Sequence, residues 1–383
     1  MNRTALILGA GLGGLVAAEM LRKLLPASDR VIAVDRAERH FFPPSLLWLM
    51  VGDRKPEDFT RSLNRLISRG VEFRHGAVTR IDAQRRAVEI DGKSLVADAL
   101  VIALGAEYAP GAIPGLLEAG LNLYTMEGAT AIRDALAHFE GGRIVVLTAA
   151  PMYKCPAAPY EAALLVDSHL RKRGLHDKAS IEFFAAEPRP MFVAGPEVGA
   201  AVRGMIEARG IAYHPEYQVK EVDPAAHRIT FASGATADFD LLLYVPPHRA
   251  PSVAREAGLI NESGWIPVDR HTLQTQFDNV FAIGDITTIP LKMGRPLPKA
   301  GVFAHSQAEV VANNIAHAWT GKGTPRQFIG EGMCFIETGG GRAAIGKGNF
   351  YAEPMPQVEM RGPSLFWHAG KILYEKYWLY RRF

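Results

Sequence analysis

The chain contains two cysteines, Cys155 and Cys334, and these are its candidates for redox chemistry. Neither has a Cys or His partner at metal-ligand spacing, so we expect no metal site. Two cysteines in a chain of this length could also be inert, buried apolar residues. However, Cys155 stands in a Pro-flanked turn before a predicted helix, whose dipole would favour the thiolate. Cys334 lies in a small C-terminal segment that must pack back on the core.

The turn that carries Cys155 replaces a phosphate cradle. Residues 143–148 read as an apolar strand, residues 149–156 as a turn, and a helical run begins at Ala157. A phosphate-binding turn needs glycines so that the backbone can approach a pyrophosphate at the helix N-terminus. This turn has none. We therefore expect a second nucleotide-type fold that holds no pyridine nucleotide and serves sulfur chemistry instead.

The N-terminal segment predicts a dinucleotide site. Its charged start and apolar stretch mimic a secretory signal, but the stretch reads as a strand that enters Gly9, Gly11 and Gly14 in Gly-x-Gly-x-x-Gly spacing, then as a helix. A second strand ends at Asp35, close to the distance in sequence at which a carboxylate meets an adenosine ribose. A chance glycine loop is the alternative, and the strand context disfavours it. We expect the mature protein to keep this strand.

Two further segments indicate that the dinucleotide is FAD. Residues 98–106, which include Gly105, resemble the strand and turn that close the first FAD segment of two-domain flavoprotein disulfide reductases. Residues 275–285 resemble the second FAD motif of that superfamily, in which a strand ends in Gly-Asp and the carboxylate accepts hydrogen bonds from the ribityl chain. An ordinary buried strand would explain residues 280–283 but would leave Gly284 and Asp285 unexplained.

A helix that opens after Lys299 and Gly301 could direct its positive end at the pyrimidine end of the flavin. Lys299 would add a full charge there. Alternatively, Lys299 is a solvated lysine of the first helical turn.

The predicted fold class is α/β, with two Rossmann-like domains of the FAD/NAD(P)-linked reductase type, parallel sheets and a small C-terminal membrane-associating segment. The expected divisions are 1–107 and 246–325 for the FAD-binding domain, 108–245 for the second Rossmann-like domain, and 326–383 for the C-terminal segment. The net charge of +3 gives no argument for nucleic acid as a partner. No apolar run reaches the roughly 18 to 20 residues that a membrane span needs.

Taken together, these motifs resemble the sulfide:quinone oxidoreductases and the flavoprotein subunit of flavocytochrome c sulfide dehydrogenase over almost the whole chain. Besides the FAD motifs and the cysteines, the resemblance rests on segments in the same order as in the family. These segments are residues 41–52 with a Pro-Ser-x-x-Trp pattern, Glu187-Pro188, residues 246–249, residues 264–269 and residues 298–301.

The resemblance implies a redox disulfide beside the flavin and oxidation of sulfide to sulfur or polysulfide. Hydrosulfide would attack a disulfide or sulfur-bridged form of the two cysteines, leaving a persulfide on one and a thiolate on the other, and an electron pair would pass to FAD. We assign Cys334 to the flavin and Cys155 to the persulfide, with the reverse assignment left open. The chain departs from the family at Tyr124, in place of a third cysteine, and at Met191-Phe192, in place of a histidine.

The C-terminal residues 365–383 are rich in aromatic and basic side chains. On a helix, Trp367, Tyr374 and Trp378 would share a face, while Lys371 and Lys376 would reach lipid headgroups. This pattern predicts peripheral, monotopic attachment to the cell membrane, at an undetermined face, and a membrane quinone as acceptor. The alternative is a terminal helix whose aromatic residues seal the core. By resemblance, Phe335 would stack on the quinone. A homo-oligomer is compatible with this reading.

Two rival functions remain open at this stage. A type II NADH:quinone dehydrogenase would share FAD, quinone and a membrane helix, but the glycine-free turn at Cys155 argues against it. A flavoprotein subunit that passes electrons to a c-type cytochrome would need a complementary protein surface. The candidate cofactor-binding residues are Gly9, Gly11, Gly14, Asp35, Pro44, Ser45, Val78, Ala103, Gly105, Gly284, Asp285, Lys299 and Gly301.

Overall fold

The computed structural model describes residues 2–383 and has two parallel β-sheets flanked by helices, followed by an antiparallel sheet and a C-terminal helix. The helices are α1 Leu12–Leu24, α2 Leu46–Leu49, α3 Leu116–Ala119, α4 Met126–His138, α5 Ala158–Lys172, α6 Pro196–Glu207, α7 Ser252–Glu256, α8 Gly301–Thr320 and α9 Leu365–Arg381. The strands are β1 Thr4–Leu8, β2 Arg30–Asp35, β3 Arg39–Phe41, β4 Thr60–Ser62, β5 Glu72–His75, β6 Val78–Asp82, β7 Ala87–Ile90, β8 Lys93–Val96, β9 Ala99–Ile102, β10 Glu107–Tyr108, β11 Leu121–Asn122, β12 Gly142–Thr148, β13 Ala179–Ala185, β14 Ala212–His214, β15 Val219–Asp223, β16 Arg228–Phe231, β17 Thr236–Asp238, β18 Leu241–Val245, β19 His248–Arg249, β20 Ile266–Pro267, β21 Val280–Ala282, β22 Thr287–Thr288, β23 Glu331–Gly339, β24 Arg342–Asn349 and β25 Gln357–Ser364.

The first parallel sheet has the strand order β21-β9-β1-β2-β5. Its central strand β1 is buried along its whole length, because α1 and α8 cover one face of the sheet and the β6-β7-β8 sheet with α7 covers the other. Strand β21 joins this sheet beside β9 although nearly 180 residues separate them in the chain. The chain therefore leaves the first sheet and returns to it, as the predicted order of the FAD segments requires.

The second parallel sheet has the order β11-β18-β12-β13-β14 and comes from the intervening part of the chain. Strand β12, helix α5 and strand β13 repeat the arrangement of β1, α1 and β2 in the first sheet. Where the chain passes between the two sheets, the short strands β10 and β19 pair with each other. The predicted fold class is confirmed, and the predicted domain boundaries near 108 and 245, close to these crossings, stay a prediction.

The C-terminal segment is the antiparallel sheet β23-β24-β25 followed by α9. The buried face of α9 is fixed by the Glu375 carboxylate, which accepts hydrogen bonds from the Ser45 hydroxyl at 2.6 Å and from the Arg54 guanidinium at 3.0 to 3.1 Å. At its end, Arg382 forms a buried ion pair with Glu19 of α1. These contacts tie the last helix to the first dinucleotide fold.

The helix face that the sequence predicts for the membrane is only partly exposed: Tyr374 is 36% exposed and Trp367 is half-buried, but Trp378 is buried. Trp378 is 1% exposed and Lys371 is 5% exposed, so neither meets solvent or lipid. Their expected roles at the membrane are wrong, because Trp378 packs on Phe42 and Lys371 pairs with a buried carboxylate. Instead, a different stripe is exposed, at i, i+7, i+11 and i+14 on one helical face. It consists of Phe366, Leu373, Tyr377 and Tyr380.

None of the helices in the described part of the chain has the length and apolar character needed to cross a membrane.

The substitution Glu375→Gln should loosen α9. It leaves the largely buried Arg54 without its anionic partner, a change that costs about 3 kcal/mol in comparable buried pairs. We expect trypsin to cleave α9 of the folded variant at least tenfold faster than in the unmodified protein, as followed by mass spectrometry. Glu359→Gln, at an exposed position of β25, is the control. Equal cleavage rates for all three proteins would show that this contact does not hold the helix.

Candidate active site

The first glycine loop is shaped by close backbone packing. A Cβ at Gly9 would lie 2.4 Å from the Ala103 carbonyl oxygen, and one at Gly14 would lie 1.8 Å from the Gly9 oxygen. At Gly11, which precedes α1, an added Cβ would have no heavy atom of residues 2–383 within 4 Å, apart from its neighbours in the chain. The loop therefore packs tightly on its protein side and is open where a phosphate would approach the helix N-terminus.

Asp35 ends β2 beside this loop. Its carboxylate accepts hydrogen bonds from the backbone N–H of Ala10 at 2.6 Å and of Ala37 at 2.8 Å. The predicted ribose carboxylate thus also fixes the glycine loop, and each of its oxygens keeps a lone pair for a ligand hydroxyl.

The Gly284-Asp285 turn stands at the end of β21. Gly284 has φ of +74°, and its N–H donates to the side-chain oxygen of buried Gln307 at 2.7 Å. Asp285 Oδ1 is buried and accepts no hydrogen bond from any part of residues 2–383. A buried oxygen without a hydrogen-bond partner is unusual in a folded protein and indicates a missing hydrogen-bond donor. The hydroxyls of a ribityl chain would supply it, which makes Asp285 the position that fits the predicted flavin best.

Lys299 is held in place by its neighbours. Its ammonium donates to the carbonyls of Asp285 at 2.7 Å and Thr287 at 2.9 Å and lies 3.4 Å from the centre of the Trp265 ring. Burial lowers the pKa of Lys299 to about 7, so the full positive charge expected from the sequence is not assured at neutral pH. Lys299 is not the solvated lysine of the alternative reading.

The remaining predicted cofactor residues lie on several different elements of the fold. A Cβ at Gly301, the first residue of α8, would lie 2.3 Å from Leu12 Cδ1, so glycine allows α8 to approach α1. Gly105 has φ of +70°, and Val78 begins the small sheet β6-β7-β8. Pro44 and Ser45 lie in a short 3₁₀ helix, and the Ser45 hydroxyl is bonded to Glu375. Contact of these residues with a cofactor stays a prediction.

Cys155 and Cys334 line one cavity, which Met191, Phe192 and Phe303 also line. Cys155 has φ of +49°, an uncommon conformation for a non-glycine residue that clusters at functional sites. Its backbone N–H donates to the carbonyl of Lys299 at 2.7 Å. The structure therefore brings the two predicted redox residues together and ties one of them to the segment that carries the flavin motif.

The expectation of a dipole-stabilised thiolate at Cys155 is not supported. Burial raises the pKa of Cys155 well above its usual range, and the nearby Cys334 and Glu161 add to the effect. Burial also raises the pKa of Cys334 to about 12. Desolvation thus opposes the thiolate form at both positions.

Sequence reasoning missed a buried polar network beside this cavity. Glu161 of α5 accepts hydrogen bonds from the Lys371 ammonium at 2.5 Å and from the Glu337 N–H at 2.8 Å. The Glu337 carboxylate meets His368 at 2.9 Å. Burial acts to lower the pKa of Lys371, but the two carboxylates outweigh it and raise that pKa. A charged Glu161 inside an otherwise apolar helical run was the available signal.

The two departures from the family pattern both lie at the cysteine cavity. Tyr124, at the place of a third cysteine, donates its hydroxyl to the carbonyl of Lys154 at 2.8 Å and so supports the turn before Cys155. Met191 and Phe192, at the place of a histidine, line the cavity with apolar surface.

Phe335 follows Cys334 in β23, and adjacent strand residues point to opposite faces. A Cβ added at Gly370 of α9 would lie 3.5 Å from the Phe335 ring. Phe335 therefore faces the C-terminal helix, while Cys334 lines the cavity on the other side of β23.

A family model described as Pyridine nucleotide-disulphide oxidoreductase matches residues 3–316. The chain belongs to this family. It is 28% identical to the sulfide-quinone reductase of Aquifex aeolicus (strain VF5), covering all of this chain and 91% of the relative. It is 27% identical to the mitochondrial sulfide:quinone oxidoreductase of Mus musculus, over 91% of this chain and 79% of the relative.

The solved structure of the sulfide:quinone oxidoreductase from Aquifex aeolicus superposes with a TM-score of 0.88 at 25% identity, over 99% of this chain and 91% of that one. The resemblance to sulfide:quinone oxidoreductases is thus confirmed. Membership of the pyridine nucleotide-disulphide oxidoreductase family implies a flavin cofactor, and the glycine loop, Asp35 and the orphaned Asp285 oxygen fit one.

Replacing Asp285 should weaken flavin binding. Asp285→Ala removes the buried acceptor, and a hydrogen bond to a charged group contributes about 1.5 to 3 kcal/mol, so we expect roughly 10- to 100-fold weaker binding. Dissociation constants from the fluorescence of released flavin measure the effect, with Asp278→Ala in the exposed loop before β21 as control. Unchanged affinity in Asp285→Ala would contradict this assignment.

Proposed function

We propose that the protein is an FAD-dependent enzyme that oxidises sulfide to sulfur or polysulfide through Cys155 and Cys334 and passes the electrons to membrane quinone. The observation that carries the proposal is the cavity shared by the two cysteines, within a fold whose second nucleotide turn has no glycine cradle. The sulfide:quinone oxidoreductases among its relatives support the same substrate and acceptor.

The cysteine pair performs the sulfur chemistry. Hydrosulfide attacks a disulfide between Cys155 and Cys334, so that one S–S bond forms as another breaks, giving a persulfide and a thiolate. Rejoining of the persulfide and the thiolate as a sulfur-bridged pair releases two electrons and a proton. When bound, the flavin supplies the two-electron acceptor for this step. We place Cys334 next to the flavin and Cys155 as the persulfide carrier.

The apolar walls of the cavity suit the product. Methionine, phenylalanine and proline side chains line the cavity together with the two cysteines, and these are soft or apolar groups that neutral sulfur chains contact at little cost. The same walls disfavour the charged form of a free thiol, which agrees with the raised pKa of both cysteines. The resting pair is therefore better accommodated as a neutral disulfide or sulfur bridge than as two thiolates.

FAD would be held by residues from both segments of the first fold. Gly11 would admit the pyrophosphate at the start of α1, Asp35 would accept from the adenosine ribose, and Asp285 would accept from the ribityl chain. Lys299 and the start of α8 would lie at the pyrimidine end of the ring.

Quinone would reach Phe335 from the side of α9. Phe335 lies under this helix, on the opposite side of β23 from Cys334. The exposed apolar stripe of α9 would enter the lipid interface. Arg381, whose half-exposed guanidinium lies 3.5 Å from the Glu19 carboxylate, would stand at the headgroup level. The proposed attachment is therefore peripheral, through one helix face. It would bring the quinone from the membrane to Phe335.

The rival function as an NADH:quinone dehydrogenase finds no support in the second fold, where residues 149–157 occupy the place of a phosphate-binding turn. Sulfide and NADH can be compared directly as donors. The proposal expects the lone chain to reduce a soluble quinone analogue with sulfide and not with NADH. Reduction by NADH alone, or a requirement for an added c-type cytochrome, would favour a rival.

Replacement of either cysteine should abolish sulfide oxidation. In Cys155→Ser and Cys334→Ser no disulfide can form, so we expect anaerobic flavin bleaching by sulfide to slow by at least 100-fold in each variant. Stopped-flow absorbance at the flavin band measures the rate, and full reduction by dithionite controls for an intact flavin site. Rapid bleaching in both variants would refute the mechanism.

Charge placed on the exposed stripe of α9 should weaken membrane binding. In Leu373→Glu, a 69% exposed leucine becomes an anion, and losing the burial of one such side chain costs about 1.5 to 3 kcal/mol. We expect at least tenfold less binding to vesicles of anionic phospholipid in a sedimentation assay. Val96→Glu, at a similarly exposed position of β8, should bind normally. Equal loss in both variants, or in neither, would argue against this helix face.

A further inference from the structure

The segment that carries Cys155 is a long loop between the first strand and the first helix of the second Rossmann-like fold. The first Rossmann-like fold has a short loop at the same place. Residues 149–157 connect β12 to α5, whereas residues 9–11 connect β1 to α1. The glycine loop is stabilised by its own close packing. The Cys155 loop has no glycine and contains a residue with positive φ, so something else must hold it.

A buried carboxylate supplies that support. Glu187 is 4% exposed and accepts hydrogen bonds from the hydroxyls of Thr148 and Tyr160, each at 2.7 Å, and from that of Tyr153. Thr148 ends β12, Tyr153 lies two residues before Cys155, and Tyr160 lies in the first turn of α5. One carboxylate thus holds the start, the middle and the end of the loop.

The position of Glu187 in the fold is informative. It follows β13 by two residues, and β13 neighbours β12 as β2 neighbours β1. The carboxylate nearest to this place in the first fold is Asp35, which is the last residue of β2 rather than a residue beyond the strand. Asp35 contacts the glycine loop and retains capacity for a ribose. Glu187 instead turns its oxygens to three hydroxyls of its own chain.

We propose that Glu187 is a positioning residue for Cys155: a carboxylate just past the strand end at which this fold can carry a ribose-binding acid here holds the cysteine loop against the cavity. The hydroxyl bonds fix the turn on both sides of the thiol, while the Cys155 N–H to Lys299 bond fixes its centre. The inference deepens the proposed function, since it explains how one cysteine of the pair is kept in reach of the other.

The test is the alkylation rate of each cysteine in the reduced holoprotein. Glu187→Gln keeps the shape but removes the charge and replaces an acceptor by a donor that faces hydroxyl groups. Release of the loop should hydrate Cys155 and raise its rate of reaction with iodoacetamide about tenfold, with Cys334 unchanged as the internal reference. Mass spectrometry of the two peptides gives both rates, and Glu197→Gln on the exposed face of α6 is the control.

Two outcomes would overturn the inference. Unchanged alkylation rates at both cysteines would show that Glu187 does not support the loop. An equal rise at both cysteines would show a general loosening of the protein. If Glu187→Gln does not fold, Tyr153→Phe removes one hydroxyl and should give a smaller rise at Cys155 alone. No sulfide or quinone takes part in the assay. Its outcome is therefore separate from that of the proposed sulfide oxidation, which the flavin bleaching of the cysteine variants tests.

Discussion

One buried carboxylate, Glu161, joins the three parts of the chain that must meet at the cysteine cavity. It lies on the helix that follows Cys155, it accepts from the N–H of Glu337 on the strand that carries Cys334, and it pairs with Lys371 of the C-terminal helix. Removing one member of such a buried pair leaves an uncompensated charge, which is strongly destabilising. The juxtaposition of two cysteines 179 residues apart in sequence, from 155 to 334, therefore depends on electrostatics as well as on packing.

The two Rossmann-like folds show how similar topology can serve different chemistry. In the first, glycines let the loop pack closely on neighbouring backbone, and Asp35 contacts the loop from the neighbouring strand. In the second, the glycines are absent, and the loop is longer and is held by side-chain hydroxyls. Under the proposed function, the first fold would hold the cofactor and the second would present a cysteine to it.

The features that the sequence predicted correctly are those with a local physical cause. Apolar runs gave the parallel strands, and the spacing of Gly9, Gly11 and Gly14 gave the turn between β1 and α1. The Gly284-Asp285 pair predicts an acceptor for the ribityl chain. Asp285 Oδ1 is buried without a hydrogen-bond partner in residues 2–383, which fits this role, and its contact with a flavin stays a prediction. In each case the requirement of the backbone or of a single side chain is visible within a few residues.

The features that it missed depend on packing between distant segments. A helical pattern in residues 365–381 could not show which face meets the core, so Trp378 and Lys371 were assigned to the membrane although both are buried. Burial raises the pKa of Cys155, against the thiolate that the sequence predicts there, and only the folded cavity reveals that burial. Glu161 was overlooked for the same reason, since its partners lie on other elements.

The central claim is that Cys155 and Cys334 form one redox pair, and peptide mapping under non-reducing conditions tests it most directly. The oxidised holoprotein would be unfolded in the presence of an alkylating agent, digested and analysed by mass spectrometry. The account predicts a linked pair of peptides that contain the two cysteines, joined directly or through additional sulfur, which separates on reduction. Complete alkylation of both cysteines in the oxidised protein, with no linked peptide, would contradict it.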